Sequence, residues 1–144
     1  MSSAVQSPAL EGVIPPVLTP FQLDRSVDYA AWERLVAWLI ERKIDAVFIG
    51  GGSGEWSFLT PEERVELTRR AATVASREVP IVSNSLGGNF EETLSLSRRM
   101  MDAGADFLGI IIPRFVETSG PGVLPPFQER DRAIEIPFTS FESP

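Results

Sequence analysis

"AVFIGGGSGEWSFLTPEE", Ala46 to Glu63, runs from an apolar stretch into three consecutive glycines and out again into the start of a helix. Ala46-Val47-Phe48-Ile49 has the length and composition of a short buried strand. Thr60-Pro61-Glu62-Glu63 is a helix start. Thr60 is the N-cap, Pro61 takes the first helical position, and Glu63 completes a capping box. The glycines therefore lie where a strand hands over to a helix, which is the end of an α/β sheet that binds ligands. Exposed N–H groups at such a corner, with the Ser53 hydroxyl beside them, suit an anion. The same glycines also suit a tight turn that needs positive φ. Two phosphate motifs are excluded. No Gly-Lys-Ser/Thr follows, and a dinucleotide fingerprint starting at Gly50 would need a last glycine where Glu55 stands.

The same alternation continues on both sides. "GVIPPVLTPF", Gly12 to Phe21, reads as a first strand, irregular or near an edge because Pro15 and Pro16 remove ladder donors. "DYAAWERLVAWLIERK", Asp28 to Lys43, reads as a helix capped by Asp28, with Trp32, Leu35, Val36 and Leu39 on one face. The helix that starts at Pro61 extends to about Arg77. "PIVSNS", Pro80 to Ser85, is a third strand. Phe90 to Ala103 is a third helix, with Thr93, Leu96, Met100 and Ala103 on one face and Gly104 as its stop. "DFLGIII" is a fourth strand, apolar throughout as in a sheet buried on both faces. A Gly/Pro-rich loop, a weaker helix over about Pro126 to Ile134, and a fifth strand in "IPFTSFESP" complete the pattern.

The order (βα)₄β predicts a parallel sheet covered by helices, here over residues 12–144, behind a disordered lead-in at 1–11. Strand centres at Ile14, Val47, Val82, Ile110 and Thr139 are spaced by 33, 35, 28 and 29 residues. Eight such units would need roughly 250 residues, the size of a (β/α)₈ barrel. The chain therefore reads as a little over half a barrel or as one five-stranded doubly wound sheet. In a barrel, Val13, Val17, Val47, Ile49, Val82, Ile110 and Ile112 are the apolar strand residues expected to lack partners on the concave face.

Composition narrows the chemistry. The 144 residues carry a net charge of −7, a poor match to a nucleic-acid backbone. There is no cysteine and no histidine, which removes disulfides, thiol nucleophiles, Cys/His zinc sites and imidazole acid–base chemistry. The N-terminus lacks the pattern of a signal peptide, and no apolar run approaches the ~20 residues of a membrane span. The expectation is a cytoplasmic protein with no membrane or nucleic-acid partner.

"GGSGEWSFLTPEER" resembles the signature of the dihydrodipicolinate synthase/N-acetylneuraminate lyase family of class I aldolases, usually Gly-Thr-Thr-Gly-Glu followed by Leu-Thr-x-Glu-Glu. "GVIPPVLTPF" is similar to the family's opening strand. "MDAGADFLGIIIPRF" is similar to its Ala-Gly-Ala-Asp segment leading to Pro-Tyr-Tyr. "IPFTSFESP" is similar to its fifth strand, which commonly ends Tyr-Asn-x-Pro. The resemblance implies a (β/α)₈ barrel interrupted after strand five. It also implies lyase or dehydratase chemistry on a 2-keto acid, usually pyruvate, through a Schiff base with a lysine and without a cofactor or metal. Carried over, Ser53 and the amides of Gly52 and Ser53 bind the substrate carboxylate.

The departures are equally specific. The family's Schiff-base lysine lies on strand six. The only lysine here is Lys43, at the end of the first helix, which leaves no catalytic residue assigned. Phe141 and Phe115 stand where the family has relay tyrosines, and Gly52 stands where it has a threonine. Glu55 is open to two readings, a general base or a carboxylate bonded to nearby backbone amides, and Glu142 is a weaker candidate base. Three outcomes stay open: part of a keto-acid lyase, a non-catalytic half-barrel that binds a carboxylate or a partner, and a flavodoxin-like domain. A half-barrel is expected to form a homo-oligomer or to need its missing half.

Overall fold

The computed structural model describes residues 10–110 and the backbone of 138–140. Three helices, α1 (Tyr29–Glu41), α2 (Pro61–Ala75) and α3 (Phe90–Asp102), alternate with strands β1 (Val47–Ile49), β2 (Ile81–Asn84) and β3 (Phe107–Ile110), and β4 (Phe138–Ser140) follows. All pairs are parallel, and the strand order is β1-β2-β3-β4. These strands are the second to fifth of the sequence reading. The predicted helix over Pro126 to Ile134 lies outside the described residues.

The helices begin where their caps place them. Asp28 accepts from the Ala31 N–H, and Asn89 accepts from the Glu92 N–H. At Thr60 the full capping box forms: Glu63 N–H donates to Thr60 Oγ1, and Thr60 N–H donates to Glu63 Oε2. α3 stops at Gly104, whose φ of +106° is open to glycine at little cost. The predicted α3 face is buried at Thr93, Leu96, Met100 and Ala103.

The first strand is the main correction. Only Pro16 pairs with the sheet, in a single parallel bridge to Phe48, while Phe21 makes an antiparallel bridge to Val27 outside it. That bridge uses the Pro15 carbonyl, which accepts from Phe48 N–H, and the Val17 N–H, which donates to the Phe48 carbonyl. A ladder cannot extend toward the N-terminus, because Pro15 has no N–H to donate. At the other end the Gly50 carbonyl is taken by the Asn84 side chain.

Register shows which face each strand residue shares. Val47 pairs with Ile81, and both join Ile49, Trp32 and Val36 of α1 and Leu67 and Ala71 of α2 in one cluster. Ser83 pairs with Leu108; Ser83 meets Thr68 of α2, and Leu108 packs with Leu96 and Met100 of α3. All three helices thus cover one face. Consecutive strand order with helices on one side is a barrel wall, and it is incompatible with the doubly wound alternative, which needs helices on both sides.

The opposite face carries Ala46, Phe48, Val82 and Phe107, with Leu10 and Ile14 packed against them. This corrects the expected concave face. Val17, Val47 and Ile49 turn toward the helices, and Val13 is exposed. A one-residue difference in register exchanges the two faces of a strand, so only Val82 was placed on the right side. Ile112 lies outside the described residues. Phe48 and its neighbours are buried rather than short of partners.

Candidate functional site

The glycine corner leaves β1 at Gly50, which has φ +69°, a left-handed conformation that a side chain strains. The chain then makes two successive tight turns. Gly54 N–H donates to the Gly51 carbonyl at 3.0 Å, and Glu55 N–H donates to the Gly52 carbonyl at 3.1 Å. A trans peptide holds its C=O and N–H in opposite directions. The Gly51 and Gly52 carbonyls point into these turns, so the N–H groups of Gly52 and Ser53 point away from them. Gly52 and Ser53 are exposed, and no acceptor among the described residues takes either N–H. A side chain built at Gly52 would meet nothing within 4 Å. Two adjacent free amides with a serine hydroxyl beside them present a set of donors that suits an anion.

The corner is held from both sides. Thr19 Oγ1, buried, donates to the Gly54 carbonyl at 2.7 Å. Asn84 Nδ2 donates to the Gly50 carbonyl at 2.8 Å. Gly54 itself is buried, and a Cβ there would come within 2.8 Å of the Val17 carbonyl oxygen. Its glycine is needed for close approach of the first segment, not for positive φ. The conformational requirement thus falls on Gly50 and the steric ones on Gly54 and on Gly51, whose Cβ would lie 3.1 Å from Pro16 and Phe48, which leaves Gly52 free at the surface.

Glu55 does not bond the nearby backbone amides, as one of its two readings expected. It adopts φ 55°, ψ 37°, and no donor among the described residues reaches its carboxylate. Its backbone turns left-handed to lead into a one-turn 3₁₀ helix, Trp56–Phe58, that the sequence reading had missed. Lys43 is exposed just before β1 begins, while the corner follows its end. The only amine side chain is therefore at the opposite end of the strand from the free amides. Phe115, Phe141 and Glu142 lie outside the described residues.

Arg64 was also overlooked. It is 4% exposed, with Nη1 donating to the Leu86 carbonyl at 2.7 Å and Nη2 donating to the Asn84 carbonyl. Its guanidinium lies 5.3 Å from the Trp56 ring centroid, and Nε has no partner. No carboxylate pairs with it among the described residues, and burial lowers its pKa to about 10. The signal was present in the sequence. Arg64, Leu67, Thr68, Ala71 and Ala75 repeat at helical spacing, and all are buried. A cation on that inward face needs acceptors, here the carbonyls of Asn84, the last residue of β2, and of Leu86 just beyond it.

Beside the corner, Trp56, Arg64, Leu86, Phe90, Leu96 and Arg99 line a groove of about 610 Å³. The amides at the start of α3 are already engaged there. Glu92 accepts from Gly88 N–H and from Asn89 Nδ2, and Thr93 Oγ1 accepts from Gly87 N–H. No described helix is long and apolar enough to cross a membrane.

Residues 9–129 match the dihydrodipicolinate synthetase family. The chain is 31% identical over 128 residues to 4-hydroxy-tetrahydrodipicolinate synthase of Clostridium perfringens, covering 89% of this chain and 44% of that protein. Among solved structures it resembles YagE of Escherichia coli K12, a prophage protein of the dihydrodipicolinic acid synthase family in complex with pyruvate. The TM-score is 0.82 and the identity 32%, over 92% of this chain and 45% of that one. It also resembles the chloride-inhibited dihydrodipicolinate synthase of Acinetobacter baumannii complexed with pyruvate, with TM-score 0.86, 26% identity, and coverage of 94% and 47%. The chain thus spans less than half the length of these relatives.

Proposed function

Because the chain belongs to the dihydrodipicolinate synthetase family, we propose that its glycine corner binds the carboxylate of a 2-keto acid such as pyruvate. In this reading the chain forms the first part of the (β/α)₈ barrel of a Schiff-base-forming lyase. The observation that supports it is the pair of outward N–H groups at Gly52 and Ser53, at the end of β1. Relatives complexed with pyruvate share the fold of this chain over more than nine-tenths of its length.

The chemistry follows from placing the carboxylate there. Gly52 N–H, Ser53 N–H and the Ser53 hydroxyl donate to its two oxygens. The keto carbon is then held for attack by an amine. Addition of a lysine amine gives a carbinolamine, and loss of water gives an iminium that draws electrons from the neighbouring C–C or C–H bond. Lys43 sits at the wrong end of β1 for this, so the reacting lysine comes from outside these 144 residues. Gly52 has no hydroxyl to pass a proton. Phe115 and Phe141 have none either, so the reading extends to keto-acid chemistry in general and not to dihydrodipicolinate formation.

Pyruvate titration followed by amide ¹⁵N resonances tests the site. Shifts should concentrate at Gly52 and Ser53, and Ser53→Ala should weaken binding several-fold, about one hydrogen bond's worth. Borohydride reduction with pyruvate should leave Lys43 unmodified. An absence of shifts at the corner, or a stoichiometric adduct on Lys43, would overturn the reading.

A further inference from the structure

We propose that Asn84 is a positioning residue for the carboxylate-binding corner, an inference that rests on the function proposed above. Asn84 is the last residue of β2 and is fully buried. Both ends of its carboxamide are used. Nδ2 donates to the Gly50 carbonyl at 2.8 Å, and Oδ1 accepts from Leu86 N–H at 3.1 Å. Its Cβ lies 3.5 Å from where a Gly50 side chain would begin. One side chain therefore spans from the end of one strand to the residue at which the neighbouring strand turns into the corner.

The position matters because Gly50 is the pivot. Its carbonyl fixes the plane of the Gly50–Gly51 peptide, and the next two peptides carry the N–H groups of Gly52 and Ser53. Without an anchor, a run of three glycines samples many conformations, and a ligand would bear the entropy of ordering them. Arg64 completes the anchor from below. It binds the carbonyls of Asn84 and Leu86, and its face lies against Trp56, immediately beyond the corner. The end of β2 is thereby joined to both sides of the glycine corner.

The two contacts need different chemistry from one planar group. The Gly50 carbonyl requires a donor, and the Leu86 N–H requires an acceptor. A carboxamide supplies both. Aspartate supplies only the acceptor when ionised, and leucine supplies neither. Asn84→Asp thus removes the corner contact at constant size and leaves the loop contact available.

The experiment uses the full chain without and with pyruvate. Amide hydrogen exchange at Gly54 and Glu55, whose N–H groups close the two turns of the corner, and ¹⁵N shifts at Gly51, Gly52 and Ser53 are compared in the unmodified protein, Asn84→Asp, Asn84→Leu and Ser83→Ala. Ser83 is the adjacent buried residue, its hydroxyl bonded to Thr68 on the helix-covered face at 3.0 Å, on the side of the strand opposite to Asn84. Asn84→Asp and Asn84→Leu should speed exchange at the bonded Gly54 and Glu55 amides by about tenfold, shift the ¹⁵N resonances of Gly51, Gly52 and Ser53, and weaken pyruvate binding by a factor similar to the change in exchange. Ser83→Ala should lower thermal stability and leave these readouts unchanged. Corner amides that respond no more to the Asn84 variants than to Ser83→Ala would overturn the proposal. The unmodified protein provides a check independent of folding in the variants: a scalar coupling across the hydrogen bond from Asn84 Nδ2 to the Gly50 carbonyl. Its absence would also overturn the proposal. The exchange measurement needs no ligand, so a failure to bind pyruvate would remove the proposed function while the positioning of the corner is still decided.

Discussion

Two glycines separated by one residue should respond oppositely to alanine. At Gly54 a Cβ would lie 2.8 Å from the Val17 carbonyl oxygen and 3.4 Å from the Gly50 and Gly51 nitrogens. All three are backbone atoms, so no side-chain rotation relieves the contact. Either the first segment withdraws from β1, stretching the 2.9 Å bond from Val17 N–H to the Phe48 carbonyl, or the corner opens. Overpacking of this kind costs about 1–3 kcal/mol. At Gly52 nothing lies within 4 Å, and φ is not in the left-handed region. Alanine there fits the native backbone and restricts the unfolded chain, which stabilises by about 0.4–1 kcal/mol. The unfolded-state gain also applies to Gly54→Ala, leaving a net loss of about 1–2 kcal/mol. Urea denaturation of the two variants, with m-values unchanged, should put Gly52→Ala above the parent and Gly54→Ala below it. If Gly54→Ala were as stable as Gly52→Ala, the close approach of the first segment to the corner would be wrong.

Thr60→Ala should cost about 1 kcal/mol by removing the acceptor for Glu63 N–H, and Thr60→Ser should restore most of it in the same denaturation assay. Tyr29 is the only tyrosine, so near-ultraviolet absorbance reports its titration alone. Burial, then Glu63 and Glu66, raise its pKa above the ordinary 10.0. Its contribution to stability is therefore complete below pH 10 and is lost as pH rises through the raised folded value. A midpoint at or below 10 would contradict that environment. Sedimentation at low micromolar concentration should show self-association, since Val13, Leu18, Leu23 and Phe58 are all more than half exposed. A single monomeric species with a cooperative thermal transition would refute it.

The parts of this fold that could be read in the sequence are those in which local chemistry and tertiary packing agree. Thr60, Pro61 and Glu63 specify a helix start within four residues, and the structure forms the complete box. Thr93, Leu96, Met100 and Ala103 recur at helical spacing because one face of α3 meets the sheet. Face assignment in the strands was less accessible. A parallel strand buried on both sides is apolar at every position, so Val47, Phe48 and Ile49 give no alternation from which to tell helix side from barrel side. The first segment was read too long because two prolines limit ladder formation one rung at a time, and the single surviving rung needs only the Pro15 carbonyl and the Val17 N–H.

The site divides in the same way. Glycines next to a strand end announced a corner, but not which of them point their amides outward. That depends on Thr19, 35 positions away from the carbonyl it holds, and on Asn84, 34 positions away. Neither separation follows from a local motif; both arise only when neighbouring strands align in register. The corner's shape is thus written partly outside the corner. Substitutions at Thr19 or Asn84 should alter its amides even though neither residue belongs to the glycine motif, whereas a change at exposed Gly52, inside the motif, leaves the fold intact.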